Sequence, residues 1–499
     1  MKNENKENYE LLTIKVKDFG VIKEGEVKLK PLTIFFGKNN TGKTYMGYLI
    51  WGIFENLTYP PFRKFKIIND NNLNFVISKL KSMITNTTQS TEKIQFNEIK
   101  LCMEKDYIKR VFNYEGIDFG ELEIVLDKKF EYYVITKNFG FMDEKYVDKI
   151  LMDFLKEGNI KNKKINKLCI GIFENSPWTA SFRLIGKNIL IGINNKALKE
   201  HDRILGHIII DMCRILLKNM IKNVIYLPAS KSGLILSSSL FIDKVFDSPA
   251  FFEIYDNSKN MLDTGEKLAF PEPIKNFMKS YLKPEFYNSD VNQDNQDIAS
   301  LFEDHIIKGE LVYDKDMNKL GYVTKNGKSI PIHCASSSVV ETIPILKLVK
   351  YSNIVKKGTL LIIEEPEAHL HPDAQRIFAR AIVKLINKGV YVLLITHSPY
   401  ILQQINNCMK LYYLEKIDKE KLKAFLNRHD YKEDEILNPR KVAPYLFVDE
   451  VDGVKIKELE IIDNEGISYE AFYHILFSLH NETEELRGLI EGDDGNFEE

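Results

Sequence analysis

The sequence has no Cys-x-x-Cys spacing, and its five cysteines (Cys102, Cys169, Cys213, Cys334 and Cys408) are scattered and odd in number. That argues against a disulfide framework and against a zinc site, and predicts a reducing, cytoplasmic setting. Nor does either sign of charge dominate. Lys plus Arg (69) nearly balance Asp plus Glu (71), so no global field marks a nucleic-acid coat or a membrane-surface protein, and only a local basic groove stays open. No run is long and apolar enough to span a membrane. The greasiest stretch, Ile208 to Leu227, is broken by Asp211, Arg214, Lys218 and Lys222, and predicts a buried amphipathic helix followed by a strand. The opening MKNENKENYE lacks the apolar core of a signal peptide, so none is expected. Internal repeats and sustained heptads are also missing, which counts against a long coiled coil.

What is present is enough chain, 499 residues, for two to four domains or one core with large insertions. Residues 31 to 57 read PLTIFFGKNNTGKTYMGYLIWGIFENL. A β-rich run, Leu32 to Phe36, leads through Gly37-Lys38-Asn39-Asn40-Thr41-Gly42-Lys43-Thr44 into an apolar-periodic segment from Tyr48 to Leu57. That octet is the P-loop pattern in a strand–loop–helix context. Its glycines let successive N–H groups face a phosphate, Lys43 reaches the β/γ-oxygens, and the Thr44 hydroxyl ligates Mg²⁺. The bland alternative, a Gly-Asn turn before a helix, calls for a second motif.

GTLLIIEEPEAHLHP, Gly358 to Pro372, supplies one. An unbroken apolar run, Leu360 to Ile363, reads as a buried parallel strand whose tip carries Glu364 and Glu365. Paired carboxylates there need a positive partner, which Mg²⁺ and Lys43 provide. Glu364 is expected to hold Mg²⁺ through water, and Glu365 to orient or deprotonate the attacking water. The usual residue at the first position is Asp, from which Glu364 departs. A third apolar strand, in VYVLLITHSP (Val390 to Pro399), delivers Thr396, His397 and Ser398 at its C-terminal end, where ligands bind in open α/β sheets. His397 alone would read as a structural cap; in this company it is expected at the γ-phosphate or the water.

Together GKNNTGKT, LLIIEEPEAHLHP and LLITHSP resemble the ABC-class ATPases of the OLD-type and SMC/RecF-like group. The resemblance makes EEPEAHLHP the Walker B strand and D-loop, with His369 and His371 in the D-loop rather than at a metal, and His397 the switch histidine. LLTIKVKDFGVIKEGEVKL is similar to the N-terminal β-hairpin of these proteins, and YLPASKSGL (Tyr226 to Leu234) to their strand-to-lid junction. It also implies a signature helix that meets the γ-phosphate bound to another subunit. The candidate is CASSSVVETIPILKLV, where Ser336, Ser337 and Ser338 precede Val339, Ile343, Leu346 and Val349 at helical spacing. A plain serine N-cap is the alternative, and Ser338 stands where the family usually has Gly.

The expected fold is therefore α/β: a P-loop NTPase core of ABC type with an N-terminal β-hairpin, an α+β insertion and a helical lid. The expected parts are 1–57 (core with P-loop), 58–200 (α+β insertion), 201–232 (core strand and junction), 233–310 (helical lid), 311–415 (signature, Walker B, D-loop and switch histidine) and 416–499 (a C-terminal α/β extension). In the extension, Phe472, Ile475, Leu476 and Leu479 fall on one helical face, packed in the core by default or docking a partner. The tail GLIEGDDGNFEE imitates the strand that opens a Toprim nuclease domain and is read as a decoy. NIKNKKINK, Asn159 to Lys167, is the most basic run, a solvated loop or a nucleic-acid contact.

The resemblance implies ATP and Mg²⁺ as cofactors and a homodimer or higher homo-oligomer that sandwiches nucleotide. By likeness to the ATPase components of anti-phage defence modules of the Septu and PARIS types, it also implies a separately encoded effector nuclease or toxin. Two rivals stay open: a RecF-like DNA-repair ATPase on duplex DNA, and a nuclease whose site lies in the insertions.

Overall fold

The computed structural model describes residues 9–58, 65–67, 90–96, 99–114, 116–117, 120–126, 130–139, 166–173, 180–185, 188–194, 217–237, 270–282, 291–314, 319–468 and 470–493. The fold is α/β. Its strands are β1 (Thr13–Phe19), β2 (Ile22–Lys28), β3 (Leu32–Gly37), β4 (Phe65–Ile67), β5 (Ser90–Phe96), β6 (Ile99–Met103), β7 (Glu121–Leu126) and β8 (Phe130–Phe139). There follow β9 (Asn166–Phe173), β10 (Ala180–Ile185), β11 (Asn188–Asn194), β12 (Asn223–Leu227), β13 (Gly309–Asp314), β14 (Lys319–Thr324) and β15 (Ser329–Pro331). The last are β16 (Thr359–Glu364), β17 (Tyr391–Ile395), β18 (Val442–Glu450), β19 (Gly453–Glu458), β20 (Ile461–Ile462) and β21 (Gly466–Ile467).

The principal sheet runs β12-β16-β17-β3-β18-β19-β2-β1-β7-β6-β4 among the described residues. Its first five strands are mutually parallel, so their C-terminal ends share one edge. Alternation along these strands feeds two cores. Leu32, Ile34 and Phe36 of β3, with Leu361 and Ile363 of β16, enter one; Phe35, Leu360 and Ile362 enter the other. Both faces are apolar because helices cover both, the arrangement parallel sheets require. On one side lies α1 (Lys43–Thr58), beside α2 (Lys105–Phe112) and α3 (Glu272–Leu282). On the other side lie α4 (Gln296–Leu301), α5 (Ser337–Tyr351), α6 (Pro372–Asn387), α7 (Pro399–Ile417) and α8 (Lys419–His429).

The expected N-terminal hairpin is β1 and β2, antiparallel from Thr13↔Lys28 to Phe19↔Ile22. The 58–200 segment is mixed in its placement: β4, β6 and β7 extend the principal sheet, whereas β5, β8, β9, β10 and β11 form a separate five-stranded sheet. Residues 159–165 of the basic run and 208–216 of the greasy stretch lie outside the described residues, as does most of the expected lid.

The segment from 416 is not an appendage to the core. It supplies β18, which pairs in parallel with β3 from Val442↔Leu32 to Phe447↔Gly37, and β19, which joins β18 to β2. The run VAPYLF can do this because its residues are buried on both faces up to Tyr445. Further on, α9 (Glu470–Asp493) continues through Leu489 to Asp493, so the described part of the Toprim-like tail, 488–493, is helix and not strand. Leu479 is 55% exposed, and with Leu486, Leu489 and Ile490 it leaves an apolar stripe in solvent rather than in the core. The side chains of Phe472, Ile475 and Leu476 lie outside the described residues. No described helix is long and apolar enough to cross a membrane.

Candidate active site

At the shared edge, the loop after β3 turns through backbone conformations that dictate its composition. Gly37 has φ +141°, Asn40 φ +62° and Gly42 φ +84°. A Cβ on Gly37 would stand 2.6 Å from the Phe447 carbonyl oxygen, and one on Gly42 would stand 2.8 Å from Ile22 Cγ1. Strand β18 and the hairpin thus brace the loop from outside. Thr41 is buried and its hydroxyl donates to the Lys38 carbonyl at 2.8 Å, closing the turn. α1 then begins, with Met46 N–H donating to Gly42 O at 3.0 Å.

Lys43 folds back over this turn. Its Nζ donates to Gly37 O (3.0 Å) and Lys38 O (2.6 Å) and lies 3.4 Å from Thr41 Oγ1. Burial pushes the ammonium down to about 8, against the attraction of Glu365, Glu364 and Glu367. Three carboxylates therefore face one desolvated cation.

Glu364 ends β16 with its side chain buried, and burial raises its pKa. The Thr44 and Tyr226 hydroxyls, the Ala229 N–H and Lys231 pull it back down. Even so, Oε1 closes no hydrogen bond, and neither does the buried Tyr226 hydroxyl; proximity here stops short of bonding geometry. A buried carboxylate oxygen without a partner beside a threonine hydroxyl is a hard-oxygen donor set that fits Mg²⁺. Among the described residues no group of three or more His, Cys, Asp or Glu is arranged to hold a metal ion by itself.

Glu365 is exposed and holds φ +42°, a conformation sparsely populated for a non-glycine residue. Its N–H donates to Ile395 O at 2.8 Å, tying the tip of β16 to the tip of β17. His397 follows β17, half-buried; burial and then the Lys43 charge lower its pKa, so the imidazole is neutral at pH 7. Glu367 carries no motif signature of its own. Its Oε1 accepts from His397 N–H at 2.5 Å and its Oε2 from the Thr396 hydroxyl at 2.8 Å, so it sets the turn that presents His397. Its place two residues after Glu365 in a turn was the only available signal. Ser398 caps α7, its Oγ accepting from Ile401 N–H at 3.1 Å.

The P-loop, Glu364, Glu365 and His397 are thus brought to one edge. Ser336 to Ser338 stand apart at the start of α5. Ser336 is the N-cap residue without a side-chain cap bond, its Oγ is 3.0 Å from Ser338 Oγ, and Ser336 and Ser337 are exposed. In the turn between β16 and α6, His371 accepts from Asp373 N–H at 3.4 Å and caps α6, and His369 has φ +60°.

A family model described as an AAA ATPase domain matches residues 10–402. Among curated proteins, protein ea59 of Escherichia phage lambda is 29% identical over 129 residues, a match spanning 24% of this chain and 24% of that relative. The chain is also similar to a crystal structure of an Smc head bound to the C-winged-helix domain of ScpA, at 12% identity and a TM-score of 0.32, covering 90% of this chain and 97% of that one. An SMC head domain from Thermotoga maritima is 9% identical with a TM-score of 0.30, covering 90% and 99%.

Proposed function

Because the chain belongs to the AAA ATPase domain family, whose model matches residues 10–402, we propose that the edge described above binds Mg·ATP and hydrolyses it in an ABC-type, head-to-tail dimer. The observation that carries this reading is the unpartnered, buried Glu364 Oε1 next to Thr44 and facing the desolvated Lys43. Lys43 binds the β/γ-phosphate oxygens, and the loop from Gly37 to Thr44 cradles them with its N–H groups. Thr44 and Glu364 hold Mg²⁺, which when bound neutralises charge on the phosphates. Glu365 orients the attacking water, and the neutral His397 accepts or donates a hydrogen bond at the γ-phosphate or that water. Catalysis rests on positioning and charge, with little covalent work for the protein.

In this reading Ser336 to Ser338 serve the facing subunit. Their exposure and their place at a helix N-terminus support a contact with an anion that comes from outside the chain. The cellular role is that of an ATPase or sensor component of an anti-phage defence module, acting on a separately encoded effector nuclease or toxin. That role rests on the resemblance of the three motifs to such components. The apolar stripe of α9 is the docking face offered to the effector.

The test is phosphate release and nucleotide binding by wild type and Glu365→Gln. The variant is expected to bind ATP as wild type does and to lose turnover. Hydrolysis at the wild-type rate refutes the assignment. Nucleotide-dependent, salt-sensitive binding of duplex DNA would replace the defence role with a repair role.

A further inference from the structure

Lys231 lies just past β12, at the start of a helical segment at 231–237, and its side chain is 4% exposed. Its ammonium reaches three elements. It donates to Pro228 O in its own turn at 2.9 Å and to the main-chain oxygen of Glu364 at 2.9 Å. It also lies 2.8 Å from Oε1 of Glu341, which is 3% exposed, as an ion pair that lacks aligned hydrogen-bond geometry. Glu341 sits one turn inside α5, behind the serines, and its Oε2 accepts from Ser232 N–H at 2.9 Å.

The Glu364–Glu365 peptide is thereby fixed at both ends: its oxygen by Lys231, its N–H by Ile395 O at 2.8 Å. That peptide sets the backbone of Glu365, whose φ of +42° an unrestrained residue would leave. We propose that Lys231 is a positioning residue that holds Glu365 in its working conformation and, through Glu341, ties that conformation to the serine end of α5. The inference rests on the water-orienting role given to Glu365. Displacement of the first turn of α5, where the facing phosphate arrives, moves Glu341; the buried pair carries that movement to the Glu364 carbonyl and rotates the peptide that aims Glu365. Screening does not loosen the link, since water is excluded from both charges. A site with its serine end unengaged thus holds its water-orienting carboxylate differently from an engaged one.

A purely structural role makes a different forecast. Buried ion pairs are often replaceable by apolar residues without loss of stability, whereas removal of one partner strands a charge. The full chain is compared as wild type, Lys231→Met, Lys231→Met/Glu341→Leu, Glu365→Gln, and the last two combined, by melting temperature, fluorescent-ATP affinity and saturating turnover. Lys231→Met alone is expected to melt lower. The paired replacement removes the stranded charge but leaves the Pro228 and Glu364 carbonyls and the Ser232 N–H without their partners, so it is expected to recover only part of the melting temperature and to bind ATP as wild type, yet turn over about 10- to 100-fold more slowly, the scale of a misplaced catalytic group. In the Glu365→Gln background it should cost nothing further. Glu341→Gln, which keeps an acceptor for Ser232, should show a smaller loss of turnover at unchanged affinity. Wild-type turnover by the paired replacement overturns the coupling, as does an equal further loss on top of Glu365→Gln. Wild-type turnover by Glu365→Gln itself refutes the role of Glu365, and the coupling with it.

Discussion

Replacing Gly37 by alanine loads two costs onto the P-loop at once. The first is conformational: φ +141° lies in a region that only glycine occupies freely, and holding a residue there costs about 1–3 kcal/mol. The second is steric. The new methyl would meet the Phe447 carbonyl oxygen at 2.6 Å and Phe447 Cβ at 3.0 Å. Phe447 cannot swing aside, because β18 is paired with β3 on one side and β19 on the other. Forcing packed elements apart costs about 1–3 kcal/mol more. The sum, about 2–6 kcal/mol, is a large part of the roughly 5–15 kcal/mol that holds a domain together. Urea unfolding followed by far-UV circular dichroism is expected to move to a clearly lower midpoint, with nucleotide affinity falling in parallel. Gly233→Ala is the control of opposite sign. Nothing lies within 4 Å of its added Cβ and it sits in a helical segment, so it should gain up to about 1 kcal/mol. A Gly37→Ala protein that unfolds at the wild-type midpoint would refute the reasoning.

Lys43→Ala should weaken nucleotide binding itself, measured by fluorescent-ATP titration; undiminished affinity would remove Lys43 from the phosphate site. An ordinary lysine keeps its charge to about 10.4, but burial holds Lys43 near 8, so the free chain loses this charge as pH rises through 8. Nucleotide affinity at fixed free Mg²⁺ should therefore be full below that pH and decline above it, and a flat profile would contradict the placement. Glu367→Ala leaves the His397 N–H and the Thr396 hydroxyl without their acceptor and should cost about 1–3 kcal/mol of stability along with turnover, read by melting and phosphate release. Ser337→Glu, titrated into a fixed amount of wild type, should poison wild-type sites by like-charge repulsion against the facing phosphate. Constant activity, with mixed dimers shown to form, would sink the action of the serines in trans.

The P-loop, the Glu pair and His397 were legible in the sequence because each is a strand followed at once by its turn. Apolar runs such as LLII and VLLI announce a buried strand, and the polar residues right after them must fall at its tip. The serine-headed helix was legible for the same local reason, and it runs from Ser337 to Tyr351 despite Pro344 within it. What stayed hidden was non-local. Nothing in VAPYLF says that its neighbour is β3, whose residues lie some four hundred positions earlier. Lys231 reads as an ordinary surface lysine until Glu341 is seen beside it. Glu367 looks like one more acid in an acidic turn until its oxygens are found on the next strand's end.

Strand β3 has β17 on one flank and β18 on the other, and both come late in the chain. During synthesis, the stretch Leu32 to Gly37 emerges early and then waits. At about 5–20 residues per second, roughly 20–80 s separate its appearance from that of Val442. Until β17 follows at Tyr391 this apolar strand has neither edge covered, and until Val442 one edge stays open, which is a hazard for aggregation and a natural client site for a holding chaperone. A truncated product that stops before residue 442 retains Gly37 to Thr44, Glu364, Glu365 and His397 yet lacks the strand against which Gly37 is braced, so its loop is expected to be less firmly held than that of the full chain.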